Sequence, residues 1–467
     1  MTKEIRFNAF AMNCTGHMAP GLWRHPQDRS DRYVDLTYWT ELAQLLERGK
    51  IDGLFLADVL GPYDVYQGKA DAAIRQGIQT PVNDPLLLVS AMAHVTEHLG
   101  FGVTCALTYE HPYSFARRAS TLDHLTKGRF GWNVVSGYLE SAARNFGFDQ
   151  QTQHDDRYEL AEEYMEVCYK LWEQSWELDA VKRDRKKGIF AEPAQVHEIG
   201  HSGKYFKVPG FHLSEPSPQR TPVLYQAGAS RRGKEFAARH AECVFVSAPS
   251  AAIVKSYVLD LRRGAMELHR GPILIFAMFT IIVAPTDAEA AAKLSEYRSY
   301  IDYEGALALM SGWTGVDLSR YRPDQELRAM KTNANQSALE SFTVSDPDRR
   351  WTIREIAEFV GIGGRGPVIF GSPATVADKL QRWIDETDVD GFNLAYVVMP
   401  ETYKNIVDLL VPELQRRGVY KKEYRHGTLR EKLFQLGPYL TETHPGYRRA
   451  LSGNVGQRGP QDFTKVS

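Results

Sequence analysis

Apolar residues along this chain fall into short unbroken runs, separated by longer stretches in which they recur at helical spacing. IRFNAF (Ile5–Phe10) is the first run. After a long loop, LTYWTELAQLLERGK (Leu36–Lys50) carries apolar side chains three and four apart and ends on a basic residue. IDGLFLADV (Ile51–Val59) follows at once, then DPLLLVSAMAHVTEHLG, with Asp84 as N-cap and Pro85 at the first helical position. FGVTCALTY, a helix ending TLDHLTKG, and RFGWNVVSG complete four strand units. In the second half TPVLYQAG, ECVFVSA, ILIFAMFTIIV and GFNLAYVVM predict four more strands, the last followed by the helix TYKNIVDLLVPELQRRG. Near-continuous apolar strands separated by helices predict a parallel sheet covered on both faces. Eight such units favour an α/β fold of the TIM (β/α)₈ barrel type over a doubly wound sheet.

The chain is longer than a plain barrel, and the excess falls in two places. One is the stretch at about 139–220, with the long helix RYELAEEYMEVCYKLWEQ. The other, at about 287–365, reads as polar, irregular and short of strand signals. We therefore expect one barrel over residues 1–440 with two insertions, and a C-terminal tail over 441–467 that is polar after Gly453.

Charge and composition narrow the function classes. With 56 Lys+Arg against 58 Asp+Glu, the formal charge is −2, without the cationic excess a nucleic-acid or polybasic membrane partner requires. The N-terminus lacks a signal-peptide pattern, and the most apolar run, Ile273–Ala284, is shorter than the roughly 20 residues of a membrane helix. Cys14, Cys105, Cys168 and Cys243 are scattered, with no Cys-x-x-Cys pair, which suits a reduced, cytoplasmic setting.

Two motifs match by letter and fail in context. His197-Glu198-Ile199-Gly200-His201 spells H-E-x-x-H, but Gly200 and the following Ser202-Gly203 argue against the helix that would aim both imidazoles at one zinc ion. Gly361-Ile362-Gly363-Gly364-Arg365-Gly366 matches G-x-G-x-x-G, yet it follows a helix (WTIREIAEFV) and precedes a strand (PVIFG), the reverse of a dinucleotide fingerprint. It reads as a flexible loop at the barrel rim. His94 and His98 are placed four apart on the second helix without a third ligand. No metal site is expected.

The C-terminal ends of the strands, where barrel enzymes place their chemistry, are more informative. The first strand leads into Asn13-Cys14-Thr15-Gly16-His17, the second ends at Asp58, the third spans Thr104, and the fourth carries Asn133 and ends near Tyr138. The fifth ends in Gln226-Ala227-Gly228-Ala229-Ser230 and opens a helix. Small residues and a hydroxyl at a helix N-terminus form a phosphate seat, because free backbone N–H groups point at the anion.

These residues sit within a wider likeness. NAFAMNCTGH, GLWRHP, LERGKIDGLFLADV, PVNDP, YEHPYSFARRASTLDHLTKGR, WNVVSG, ARNFG, HDDRYELAEEYMEVCYKLWE, EPSPQRTPVLYQAGAS, DGFNL and VPELQRRG occur in the order found in one group of enzymes. Over nearly its whole length the chain resembles the bacterial-luciferase-like flavin-dependent monooxygenases, the group of the nitrilotriacetate and dibenzothiophene-sulfone enzymes. NCTGH, YDVY and PVNDP bring it nearest the long-chain alkane and dimethyl-sulfide enzymes.

The resemblance implies a two-component enzyme. Reduced FMN from a separate NAD(P)H-dependent flavin reductase would react with O2, and the resulting peroxyflavin would oxygenate a small organic substrate such as an organosulfur compound or an alkane. It implies that Asp58 and Thr104 approach the isoalloxazine and that Asn133 meets its polar edge or the ribityl chain. His154, Tyr158, Ala227, Gly228 and Ser230 would hold the phosphate. Cys14, His17, Tyr63 and Gln79 fall on the substrate side by likeness to the alkane enzyme. That enzyme would have histidines near positions 138 and 311, where this chain has Tyr138 and Ser311, so the reading moves away from long alkanes. His17 is the expected general acid/base, titrating near neutral pH. Cys14 is expected as a catalytic residue or an apolar wall, and Tyr138 as a hydrogen-bond donor to flavin or substrate. The polar stretch 287–365 is expected to act as a lid. A homodimer or homotetramer is implied by likeness alone. A riboflavin-lyase-type cleavage, a deazaflavin-dependent hydride transfer, a non-catalytic flavin binder and a zinc hydrolase remain as alternatives.

Overall fold

The computed structural model describes residues 3–228, 230–345 and 349–450, the side chains of 448–450 excepted. Nine parallel strands form its main sheet: β1 (Arg6–Met12), β2 (Gly53–Ala57), β3 (Gly100–Ala106), β4 (Phe130–Val135), β5 (Val223–Gln226), β6 (Cys243–Val246), β7 (Leu274–Val283), β8 (Val368–Gly371) and β9 (Gly391–Ala395). Pairing runs β6-β5-β4-β3-β2-β1-β9-β7, and β6 also pairs with β7, so eight strands close into a barrel. They are the eight that the apolar runs predict. β8, the PVIFG run, lies outside this ring. The lower part of β7 pairs with β6 and β9, and its upper part, Thr280–Val283, pairs with β8.

The period of two along each strand divides the packing. On β1, Phe7 and Ala9 join the cluster between sheet and helices, whereas Phe10 joins an interior cluster with Phe55, Tyr225, Phe245, Phe276 and Met278. The interior rings pack directly: Phe55 and Phe245 have centroids 4.2 Å apart, and Tyr225 stacks on Phe245 at 5.4 Å. They fill the barrel interior below a cavity that opens toward the C-terminal ends of the strands.

Helices cover the outside: α1 (Leu36–Arg48), α2 (Leu86–His94), α3 (Pro112–Leu125), α4 (His154–Tyr169), α5 (Arg231–His240), α6 (Ala251–Glu267), α7 (Asp287–Tyr300), α8 (Tyr303–Thr314), α9 (Ile353–Val360) and α10 (Pro373–Thr387). Asp84 accepts a hydrogen bond from the Leu86 N–H at 2.8 Å, the cap the sequence predicts. Thr352 and Glu355 close a capping box on α9.

Several expectations need correction. The stretch 287–365 is not irregular: it contains α7, α8 and α9, and residues 305–314 of α8 are buried throughout. Its apolar spacing had been obscured by glycines and hydroxyls. α2 ends at His94, so His98 is off the helix and stacks on Tyr424 instead. The glycine run 361–366 is a packed loop, buried at residues 361–364 and 366. The first part of the expected tail packs on the barrel: His444 is buried and bonds the His240 carbonyl at 2.9 Å, with a short helix, Pro445–Ala450, beyond it. The part of the expected tail after residue 450 lies outside the described residues.

Candidate functional site

A cavity of about 290 Å³ opens at the C-terminal end of the barrel. Eight of the expected site residues line it: Asp58, Thr104, Tyr138, His154, Tyr158, Ala227, Gly228 and Ser230. Its inner wall is the aromatic plug, Phe10, Phe55 and Phe245.

One end is built around the N-terminus of α5. Ser230 caps that helix, its Oγ accepting from the Gly233 N–H at 3.0 Å. His154 Nε2 lies 3.4 Å from the same oxygen, and Ser230 also bonds the Tyr158 hydroxyl. Gly228 and Gly233 pack face to face. A Cβ on Gly228 would lie 3.3 Å from Gly233 Cα, and one on Gly233 would lie 2.9 Å from both Ser230 Oγ and Tyr158 Oη. Arg157 reaches the same wall. Two of its nitrogens donate to the carbonyls of Thr152 and Asn333 at 3.1 Å, while its buried Nε has no partner. Backbone N–H groups, three hydrogen-bonding side chains and a cation converge here, which is what a phosphate dianion requires.

The opposite wall carries a directed chain of hydrogen bonds. Gln79 Nε2 donates to the His17 carbonyl at 2.9 Å, so its Oε1 faces Tyr63. Tyr63 Oη donates to that oxygen at 2.8 Å, which leaves its own oxygen to accept from Tyr138 Oη at 2.9 Å. The Tyr138 proton is therefore committed to Tyr63, and its oxygen faces the cavity as an acceptor. This corrects the expectation of Tyr138 as a donor. Burial pushes the Tyr138 phenol up to about 12, against the Tyr63 hydrogen bond and the Arg365 charge, so it stays protonated.

Six expected residues do not reach the cavity wall. Asn133 stands behind Thr104, donating to Thr104 Oγ1 at 2.9 Å and leaving its own Oδ1 buried and unpartnered. With its oxygen so engaged, Thr104 keeps its proton for the cavity. Tyr63 and Gln79 support Tyr138 from behind. Ser311 is buried in α8, where its Oγ accepts from the Leu318 N–H at 3.1 Å. Cys14 is buried, and burial with the nearby Asp58 charge pushes its thiol well above the usual range, so it is not a thiolate.

His17 is also buried, against the ring of Phe10 at 4.5 Å, with Nδ1 unpartnered. Burial without a counter-charge pulls it down to about 3. The premise that it titrates near neutral pH fails: the ring is neutral under ordinary conditions. Asp58 shows the reverse. Burial, with Asp84 nearby and one backbone hydrogen bond opposing, pushes its carboxyl up to about 7.

Among the described residues no group of three or more His, Cys, Asp or Glu is placed to hold a metal. The HEIGH run is not helical; His197 pairs with Glu177 at 2.9 Å and His201 with Glu163 at 3.1 Å. No helix among the described residues is long and apolar enough to cross a membrane.

Sequence reasoning missed Arg157, Gly233, Trp313, Asn335 and Arg365, all but Gly233 on the cavity wall. Only the glycine density around Arg365 offered a signal.

A family profile described as "Luciferase-like monooxygenase" matches residues 16–390, about four-fifths of the chain. A dimethyl-sulfide monooxygenase from Hyphomicrobium sulfonivorans is 52% identical, over 100% of this chain and 98% of its own. A long-chain alkane monooxygenase from Geobacillus thermodenitrificans (strain NG80-2) is 52% identical over 97% and 100%. The crystal structure of a riboflavin lyase (RcaE), described with modified FMN and riboflavin, superposes with a TM-score of 0.89 at 37% identity, covering 95% of this chain and 99% of that one. A closed parallel barrel, a cavity at its C-terminal face and matches that span nearly all of both partners agree: this chain belongs to the luciferase-like monooxygenase family.

Proposed function

We propose that the cavity binds reduced FMN, delivered by a separate NAD(P)H-dependent flavin reductase, and that with O2 the protein oxygenates a small organic molecule there. The observation that carries this reading is the seat at the N-terminus of α5. Gly228, Ser230, His154, Tyr158 and Arg157 would hold the phosphate. The unpartnered Nε of Arg157, on the same wall as Ser230, His154 and Tyr158, fits a ligand bearing a phosphate. When bound, reduced FMN supplies the electrons that activate molecular oxygen.

The remaining residues position and enclose. Thr104, held by Asn133, offers its hydroxyl proton to the flavin side of the cavity. Asp58, protonated up to about pH 7, can donate a hydrogen bond there at neutral pH. Phe10, Phe55 and Phe245 keep water from below. His17, neutral and buried, supports the wall through its carbonyl rather than moving protons.

The test is anaerobic titration of the full chain with reduced FMN and with reduced riboflavin. The phosphate seat requires FMN to bind at least about tenfold more tightly, or about 1.4 kcal/mol. Turnover with a generic reductase under ¹⁸O₂ should place one labelled atom in product. Equal affinity for the two flavins would remove the basis of the assignment.

A further inference from the structure

The glycine run 361–366 imitates a nucleotide fingerprint, and the structure shows a different use for it. Gly363 and Gly364 adopt φ of 80° and 66°. The Gly363 N–H donates to the Met18 carbonyl at 2.9 Å. A Cβ would lie 2.0 Å from Thr280 Oγ1 at Gly363, 2.7 Å from Met18 Sδ at Gly364, and 2.3 Å from the Met278 carbonyl oxygen at Gly366. These glycines let the backbone lie directly against β7 and the exit of β1. Among them stands one large side chain, Arg365, on the cavity wall.

Among the described residues Arg365 forms no ion pair and no hydrogen bond. Its guanidinium sits 5.5 Å from the Trp313 ring centroid, and its electrostatic neighbours are the phenols of Tyr138, Tyr257 and Tyr63. Arg365 is partly buried, and arginine does not deprotonate in proteins, so its guanidinium stands charged on the cavity wall, free to take an anionic partner. The wall holds two arginines against a single carboxylate, Asp58. The flavin phosphate accounts for Arg157, whose neighbours are Tyr158, Tyr109 and Asn333. Arg365 has a different set of neighbours, on the Tyr138 wall.

We propose that Arg365 is a specificity-determining residue that anchors an oxyanion on the substrate, a carboxylate or a sulfonate, so that the enzyme takes an organic acid rather than a neutral sulfide or hydrocarbon. Planar, forked donors suit such bidentate recognition. This rests on the flavin reading of the same cavity.

The test is calorimetry on the full chain saturated with oxidised FMN, which occupies the phosphate seat, using butane-1-sulfonate, hexanoate and pentan-1-ol as probes. At least one anion is expected to bind about tenfold or more tightly than the alcohol, and the tighter anion identifies the head group. Arg365→Met should bring anion and alcohol to within about twofold while leaving FMN affinity unchanged, and Arg365→Lys should keep part of the preference. Stronger binding of the alcohol to the unaltered protein would overturn the proposal, and that result does not depend on any variant folding. So would an unchanged preference in Arg365→Met, or a loss of FMN affinity in its place, which would assign Arg365 to the flavin. If FMN does not bind at all, the flavin reading fails by itself. The same probes on flavin-free protein, with Arg157→Met beside Arg365→Met, then decide which arginine takes the anion.

Discussion

Tyr63→Phe tests the direction of the hydrogen-bond chain behind Tyr138. Removing this hydroxyl strips Gln79 Oε1 of its donor, and Gln79 is only 3% exposed. A buried acceptor left unsatisfied costs about 1–3 kcal/mol. Tyr138 loses its acceptor too, but it borders the cavity and can turn its proton elsewhere at little cost. Tyr138→Phe leaves the Tyr63–Gln79 bond intact, so it should cost less than about 1 kcal/mol. The two changes delete chemically identical atoms, and only the direction of the chain separates them. At an unfolding entropy of about 2.1 cal/mol/K per residue, a chain of this length loses roughly 1 °C in Tm per kcal/mol. Thermal melts of flavin-free protein should therefore fall by about 1–3 °C for Tyr63→Phe and by less for Tyr138→Phe. In a Gln79→Leu background Tyr63→Phe should become nearly silent, giving a coupling of roughly 1–2 kcal/mol. Equal costs for the two phenylalanine variants, or simple additivity with Gln79→Leu, would refute the assignment of donors and acceptors.

Three further outcomes are expected. Asp58 keeps its proton in the folded chain up to about pH 7 but loses it near 3.8 when unfolded, so its contribution to stability declines as pH rises through that window. His17 behaves oppositely, its contribution declining as pH falls from 6.5 toward 3. Urea unfolding from pH 4 to 8 should show Asp58→Asn gaining on the parent as pH rises, and His17→Gln gaining as it falls; pH-independent differences would contradict both. Arg430→Met should cost about 3–5 kcal/mol, because it strands Glu242, which Arg430 holds at 2.7 Å and 2.9 Å, and Arg430→Met/Glu242→Met should recover only part of that loss in the same unfolding assay, since the Thr221, Pro222 and Pro438 carbonyls stay without their donor. Gly233→Ala should lower the flavin-free melt, because its Cβ would come within 2.9 Å of Ser230 Oγ and Tyr158 Oη and push the Ser230 cap aside, and should weaken FMN roughly tenfold in fluorescence titration.

The barrel was readable in the sequence because its strands are buried on both faces. Runs such as LIFAMFTIIV have no other reason to be so continuously apolar. The seat at α5 was readable because small residues and a serine before a helix have a local meaning. Arg157 and Arg365 carried no comparable sign. Arg157 sits in HDDRY, which reads as a solvated helix start, and its place on the cavity wall depends on a distant carbonyl, that of Asn333, which takes one of its nitrogens. The neutrality of His17 depends on the absence of any carboxylate facing it, and no spacing along the first strand's exit reports that. The buried face of α8 was hidden in the same way, its apolar residues interrupted by glycine, serine and threonine that pack as tightly as leucine.

The forked pairing of β7 has a consequence for inheritance. The chain leaves the barrel at Ala284, whose N–H is held by Gly371, and returns at Pro367, whose carbonyl is held by Thr280. Departure and return thus fall on one pair of neighbouring strands, about five residues apart along them, which is roughly 16 Å at about 3.3 Å per residue. The residues between form one excursion, tied back to the barrel also where the Asp302 N–H meets the Pro20 carbonyl and the Gly363 N–H meets the Met18 carbonyl. Trp313, Asn335 and Arg365 belong to it, whereas His154, Arg157, Tyr158, Gly228 and Ser230 do not. Exchanging residues 284–367 between relatives would change Trp313, Asn335 and Arg365 together, and with them Asn333, which holds Arg157 through its carbonyl and the His154 N–H through its side chain, so the substrate wall and the seat proposed for the flavin phosphate are inherited in register.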